Sequence, residues 1–265
     1  MLKIELKSDA PKGVMDLIKE QGLIVPNSCN DGRCGACIGT LISGNLNREK
    51  PEVFLAENPR RDAFLACCCS LSTQVFVSFQ NLYPDIFPEP RHVVGKIRLF
   101  QQISANLAVF RVRMRPGSEF NFVPGQHIGI STADIAERYY SIASYDECAD
   151  NIDVLVAKVA GGEMSDFLFG HTTSEQIVTL NGPIGSFHLP EAHCEGIRAF
   201  VTGSGLGPIL SILDKMTLNS DPRLKNFSIC WGYRNIADGD ILLERLYPEV
   251  NFYRFCSRED DPRAI

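Results

Sequence analysis

From the first residue, apolar Leu2, Ile4 and Leu6 alternate with charged Lys3, Glu5 and Lys7, the period of a half-buried strand, which predicts one over residues 3–7. Between 11 and 21 the apolar positions Val14, Leu17 and Ile18 share one face of a helix. Residues 38–46, with a turn at Ser43-Gly44-Asn45, predict a short hairpin, and 75–79 a closing strand. These elements make one small α+β domain over 1–83. Pro84, Pro88 and Pro90 then mark a semi-rigid linker over 84–92, which continues neither a ladder nor a helix. Strand patterns at 94–103, 107–114, 127–131, 139–143 and 152–159, with one helix at 164–169, predict an antiparallel β-barrel over 93–192. Beyond Pro190 the texture alternates: strands at 197–202, 227–231 and 251–256, helices at 208–216 and 241–246. That alternation predicts a parallel α/β sheet over 193–265.

Composition acts here by exclusion. A chain of 265 residues, 45% hydrophobic and 22% charged, fits a globular protein of two or three domains. Its net charge of −6 gives no footprint for nucleic acid and argues against docking on anionic membranes. The opening residues lack the apolar core of a signal peptide, and no run of about 18 apolar residues predicts a membrane span. Ten cysteines without a secretory signal point to a reducing compartment, the cytoplasm, where thiols serve ligation or packing. The five histidines show no ligand spacing, and Glu259-Asp260-Asp261 reads as solvated surface.

The cysteine spacing carries the chemistry. Cys29, Cys34 and Cys37 form C-x4-C-x2-C, and Cys67 follows after 29 intervening residues. This is the spacing of a plant-type [2Fe–2S] cluster. The loop 28–37 holds Gly32, Gly35 and Ala36, small residues that let backbone N–H groups approach sulfur. A zinc site would pair two short Cys-x-x-Cys knuckles, and the second knuckle is missing. The passage resembles the cluster loop of plant-type ferredoxins, which implies a β-grasp fold. Ferredoxins usually open with a two-stranded hairpin; with one strand before the helix, this sheet is expected to have an exposed edge. Cys67, Cys68 and Cys69 stand in succession as candidates for the fourth ligand. Phe64-Leu65-Ala66-Cys67 resembles the passage carrying the last ligand in ferredoxin-type reductase domains, which favours Cys67 and leaves Cys68 and Cys69 as packing thiols.

Further motifs follow in order. Arg138-Tyr139-Tyr140-Ser141, preceded by Pro124-Gly125-Gln126, resembles the R-x-Y-S motif of the ferredoxin–NADP⁺ reductase superfamily. The resemblance implies a flavin, FAD, with Arg138 pairing a phosphate, Tyr140 packing on the ring system and Ser141 bonding near the atom that receives hydride. Tyr140 and Ser141 are thus the catalytic candidates. Alone, the string fits a strand with aromatic residues on opposite faces. Gly161, Gly162, Met164 and Ser165 open the predicted helix, where free N–H groups favour a phosphate, and resemble the superfamily's G-x-x-S site. Residues 182–187 match its G-P-x-G-x-F turn. Each glycine stretch also fits a plain turn.

Thr202-Gly203-Ser204-Gly205-Leu206-Gly207-Pro208 joins a strand to a helix, where glycines admit a pyrophosphate to the helix N-terminus. It resembles the superfamily's G-x-G-x-x-P nucleotide loop, with Gly203, Gly205, Gly207 and Pro208 as the matching positions. Trp231-Gly232-Tyr233-Arg234 resembles its aromatic-Gly-x-Arg strand end, which makes Arg234 a nucleotide candidate. Ser257, Arg258 and Glu259 stand where some relatives contact the 2′-phosphate of NADP(H), yet NAD-dependent relatives carry similar residues; NADH is the favoured donor. The superfamily's domain continues with more strands and a Cys-Gly-Pro turn, so this one is expected to be truncated.

Together the resemblances imply a reductase component of the ring-hydroxylating-oxygenase or CDP-6-deoxy-glucoseen-reductase kind. Such a chain moves electrons from NAD(P)H through FAD and a [2Fe–2S] cluster to an oxygenase component or sugar dehydrase. The alternative is a flavin and iron–sulfur protein that carries or senses electrons without oxidising NAD(P)H itself, the reading the expected truncation favours.

Overall fold

The computed structural model describes residues 2–27, 29–118, 120–146, 150–191, 194, 196–239 and 247–257. The chain divides into two compact units: residues 1–87 with 185–187, and 88–184 with 188–265. The boundary at 87–88 falls inside the predicted linker.

In the first unit, strands Leu2–Leu6, Val75–Phe79, Ile38–Ser43 and Ala63–Leu65 lie side by side in that order. Leu2–Leu6 pairs with Val75–Phe79 and forms the edge, as its lone position before the helix predicts. Helix Val14–Glu20 buries Val14, Leu17 and Ile18, the predicted face, in a core with Leu6, Leu65, Leu71 and Val77. It starts later than its sequence pattern because Lys12–Gly13 pairs with Cys69–Leu71.

Two expectations are corrected here. The 38–46 hairpin does not form: Asn47–Arg48 pairs with Cys69–Leu71 instead. Both edges of Ile38–Ser43 are already taken, by Val75–Phe79 and Ala63–Leu65. Pro84 is a ladder residue rather than a spacer, since Tyr83–Pro84 pairs with Leu23–Ile24. In a two-residue strand the missing proline N–H costs nothing, and Asp85 N–H continues the contact to Gly22 O at 2.9 Å.

The second unit opens with a six-stranded antiparallel sheet ordered Arg138–Ser141, His127–Ser131, Gln176–Ile184, Arg91–Gln102, Leu107–Met114 and Asn151–Ala157. A bridge between Ile142 and Val154, and a bond from Ala143 N–H to Asp153 O of 2.7 Å, draw its two ends together. Phe110, Val112, Ile128, Ile130, Val154 and Met164 fill the interior. Strand Gln176–Ile184 has only Val178 and Leu180 fully buried among its large apolar residues, with Ile177 exposed and polar residues between, so its apolar signal was too thin to read. Residues 185–187 of the G-P-x-G-x-F turn group with the first unit, where Ser186 Oγ accepts Asn27 N–H at 2.9 Å.

Strands Ile197–Thr202, Phe227–Tyr233 and Asn251–Cys256 are parallel and adjacent in chain order. Helix Gly207–Leu218 covers one face, packing Ile209, Leu213 and Met216 with Phe227, Ile229 and Trp231. The helix predicted at 241–246 lies outside the described residues. Among the described residues, no helix is long and apolar enough to cross a membrane.

Candidate functional site

The cysteine loop is built from left-handed turns. Asn30, Gly32 and Gly35 have φ of 54°, 82° and 71°. A Cβ on Gly32 would strike Pro51 O and lie 2.8 Å from Cys68 Sγ; one on Gly35 would lie 2.7 Å from the Phe54 ring. Glycine is therefore required twice, by conformation and by space. The slim loop gathers thiols in pairs. Cys29 Sγ lies 3.3 Å from Cys34 Sγ, and the Cys37 thiol feels the Cys67 thiol electrostatically. Arg33 and Cys34 each donate a backbone N–H to Cys29 Sγ at 3.4 Å, the environment a thiolate needs. Burial pushes the Cys37 thiol up to about 12. Among the described residues, no three His, Cys, Asp or Glu side chains close round a single metal point. Paired thiols suit a two-iron centre, in which each iron takes two cysteines and the sulfides are shared.

In the second unit, strand Arg138–Ser141 pairs with His127–Ser131, setting Tyr140 opposite Ile128 and Ser141 opposite His127. Alternation puts Arg138 and Tyr140 on one face and Ser141 on the other. Tyr140 is half-buried against the barrel core, and burial raises its hydroxyl above the usual tyrosine range. Tyr139 is exposed and meets the His127 ring edge-on at 5.6 Å. Arg138 donates to Glu137 O at 2.9 Å.

The seam that closes the barrel leads into the Gly161 loop. Gly161 has φ of 70° with open space where a side chain would stand, and Gly162 caps helix Glu163–Gly170. Met164 is buried in the core. Ser165 Oγ accepts Val159 N–H at 3.1 Å and faces Val159 O and Gly162 O at 3.0 Å. Its hydroxyl is thus committed to the turn, and the free groups here are backbone N–H of the first helical turn.

A cavity of about 930 Å³ opens at the carboxyl ends of the parallel strands. Gly203 and Ser204 line it from the first strand's loop, Arg234 and Asp238 from beyond the second, Cys256 and Ser257 from the third, and Lys158 from the barrel. Gly203 and Arg234 are therefore brought together. Gly205 is exposed, and Pro208 stands in the first turn of the helix. Gly207 has a different place: a methyl there would lie 3.5 Å from Ala143 Cβ and 3.6 Å from Ser141 O, so the nucleotide-type helix starts directly on the flavin-type strand.

Comparison with known proteins reads these motifs together. The description "2Fe-2S iron-sulfur cluster binding domain" matches residues 2–72, and "Oxidoreductase FAD-binding domain" matches residues 95–189. The chain carries both domains and resembles the ferredoxin–NAD(P)⁺ reductase superfamily. It is 26% identical over 261 residues to the CDP-6-deoxy-L-threo-D-glycero-4-hexulose-3-dehydrase reductase of Yersinia pestis, covering 96% of this chain and 77% of the relative. It is 28% identical over 247 residues to the reductase component of propane 2-monooxygenase from Mycolicibacterium goodii, covering 89% and 69%. The crystal structure of an Amycolatopsis cytochrome P450 reductase matches with a TM-score of 0.69 at 25% identity, covering 96% of this chain and 78% of that one.

Several residues that organise the reductase escaped the motifs. Trp231 Nε1–H donates to Gly203 O at 3.1 Å, tying the glycine loop to the second strand. Ser211 and Asp214 pin the helix to the barrel, through Gly125 N–H at 3.0 Å and Tyr145 N–H at 2.9 Å. Asp214 also accepts Tyr247 Oη–H at 2.6 Å, and burial raises its carboxyl above the ordinary range. Their sequence signal was two polar residues at i and i+3 on a buried helix face. Arg258 and Glu259 lie outside the described residues.

Proposed function

We propose that this chain is the reductase component of an oxygenase or sugar-dehydrase system, working in the cytoplasm and moving electrons from NAD(P)H, with NADH favoured, to a partner protein. When bound, the nicotinamide supplies two electrons as hydride, FAD takes the pair and releases electrons singly, and the [2Fe–2S] cluster carries one at a time. In the first unit, Cys29 and Cys34 would hold one iron and Cys37 and Cys67 the other. In the second, Arg138 offsets the flavin phosphate charge, Tyr140 presents its half-buried ring, and Ser141 offers its hydroxyl beside the reacting ring. Gly161, Met164 and Ser165 present backbone N–H groups to a phosphate, and Gly162, whose own N–H bonds Val159 O at 3.0 Å, caps the helix behind them. Gly203 and Gly205 admit the nucleotide pyrophosphate, Gly207 and Pro208 start the helix that faces it, and Arg234 flanks it.

The observation that carries this reading is the closeness of Gly207 to Ser141 O and Ala143. A helix start that suits a dinucleotide rests on the strand that suits a flavin, so the two ligands are held within one unit. The names of the two relatives support the class of acceptor, a sugar dehydrase in one case and a monooxygenase in the other. Anaerobic mixing of the purified chain with NADH and with NADPH, followed in the visible spectrum, tests the proposal. Bleaching of flavin and cluster bands within seconds is expected. Bleaching by dithionite but by neither nucleotide would sink it.

A further inference from the structure

Cys68 is fully buried beside Cys67 and takes no part in the proposed ligand set. Its Sγ lies 3.6 Å from Cys67 Sγ and 3.7 Å from Pro51 O, and 2.8 Å from the place a Cβ on Gly32 would occupy. The thiol is therefore enclosed between the cysteine loop and Cys67. Cys69, one residue further, turns away to Glu52 Oε1 at 3.8 Å.

Between two thiols, either sulfur can donate. Iron removes that symmetry, because a metal-bound cysteine is a thiolate with no hydrogen. The hydrogen of the pair then belongs to Cys68. Two acceptors are in reach, and the charged thiolate is stronger than the neutral Pro51 carbonyl. We propose that Cys68 is a positioning residue that donates an S–H···S hydrogen bond to the ligand sulfur of Cys67 and raises the reduction potential of the [2Fe–2S] cluster. The proposal rests on the ligand assignment above. Reduction adds one negative charge to the cluster, and a donor on a ligand sulfur stabilises that charge.

The test uses the full chain loaded with cluster, in wild type and in C68A, C68V, C68S and C67A. Iron and sulfide content give cluster occupancy, and redox titration followed by electron paramagnetic resonance gives the midpoint potential. C68V fills much of the same space without a donor, and C68A removes both. Both are expected to keep the cluster and shift its potential to more negative values. C68S, whose hydroxyl still donates, should fall between them and wild type. Water entering the space left in C68A would stabilise the reduced state and move the potential the other way, so a negative shift isolates the bond. An unchanged or more positive potential in both C68A and C68V overturns the proposal. C67A checks the ligand assignment separately and is expected to lose the cluster. A C67A chain with full cluster beside a C68A chain without one would overturn that assignment instead.

Discussion

Ser211 Oγ, fully buried on helix Gly207–Leu218, accepts the backbone N–H of Gly125 at 3.0 Å while donating to Pro208 O at the same distance. Gly125 itself is buried, with φ of 105°, in the Pro124-Gly125-Gln126 turn. One hydroxyl thus joins the 124–126 turn of the barrel to the helix that follows the Gly203 loop. Ser211→Ala leaves a buried N–H without its acceptor, which costs about 1–3 kcal/mol. Urea denaturation of the flavin-loaded protein should show a lower midpoint with the slope unchanged. A midpoint equal to wild type would remove this bond from the account.

Gly32→Ala concerns the other unit. The added methyl meets Pro51 O and Cys68 Sγ in a left-handed backbone, and neither a backbone oxygen nor a thiol enclosed by the loop can retreat cheaply. The expected result is poor cluster incorporation, read as a loss of visible absorbance and of iron per chain. Flavin content should stay at the wild-type level, because no residue of the second unit is touched.

These two sites show which parts were legible beforehand. Alternation at Leu2–Leu6 and the 3.6 period at Val14–Glu20 report burial of one face; the helix buries its face as read, while the strand buries Leu6, half-buries Ile4 and leaves Leu2 exposed. Pairing partners were not legible: nothing in residues 38–48 says that both edges of Ile38–Ser43 are occupied by distant strands, so a local hairpin looked reasonable. The cysteine loop and Gly203 loop were visible because glycine and cysteine are needed there in their own right. Ser211, Asp214 and Trp231 were not, since each acts by meeting a backbone group far away in sequence. Lys158 joins the cleft only because the barrel and the parallel sheet fold against one another within the second unit.

His127 supplies a pH signature. Burial holds its imidazole below the usual histidine range. A depressed folded value means the neutral ring is favoured in the fold, so the stabilising contribution is complete above the unfolded value of about 6.5 and is lost as pH falls through the lower folded value. His127→Gln has no such ring to protonate. As pH falls from 7 through the unfolded value of about 6.5 and below, the stability of wild type should therefore fall relative to that of the variant, as measured by urea denaturation at each pH. A constant difference across that window would show that the histidine is not held neutral.

The bond from Trp231 Nε1–H to Gly203 O leads to a kinetic prediction. The indole is buried and packs on Tyr233 with ring centres 4.9 Å apart, so Trp231→Phe keeps an aromatic ring in place and removes the donor. Gly203 has φ of 50° and no atom within 4 Å of its would-be Cβ, so the loop is open to the cavity there. A neutral hydrogen bond contributes about 1 kcal/mol, or about fivefold in an equilibrium. In the proposed seat the nucleotide would meet the loop before and during reaction alike, so the loss should fall on binding. In steady-state reduction of an artificial acceptor, KM for NAD(P)H should rise about fivefold with kcat close to wild type. A fall in kcat at unchanged KM would place the effect on the flavin side of Gly207, and the Gly203 loop would then not be the nucleotide's seat.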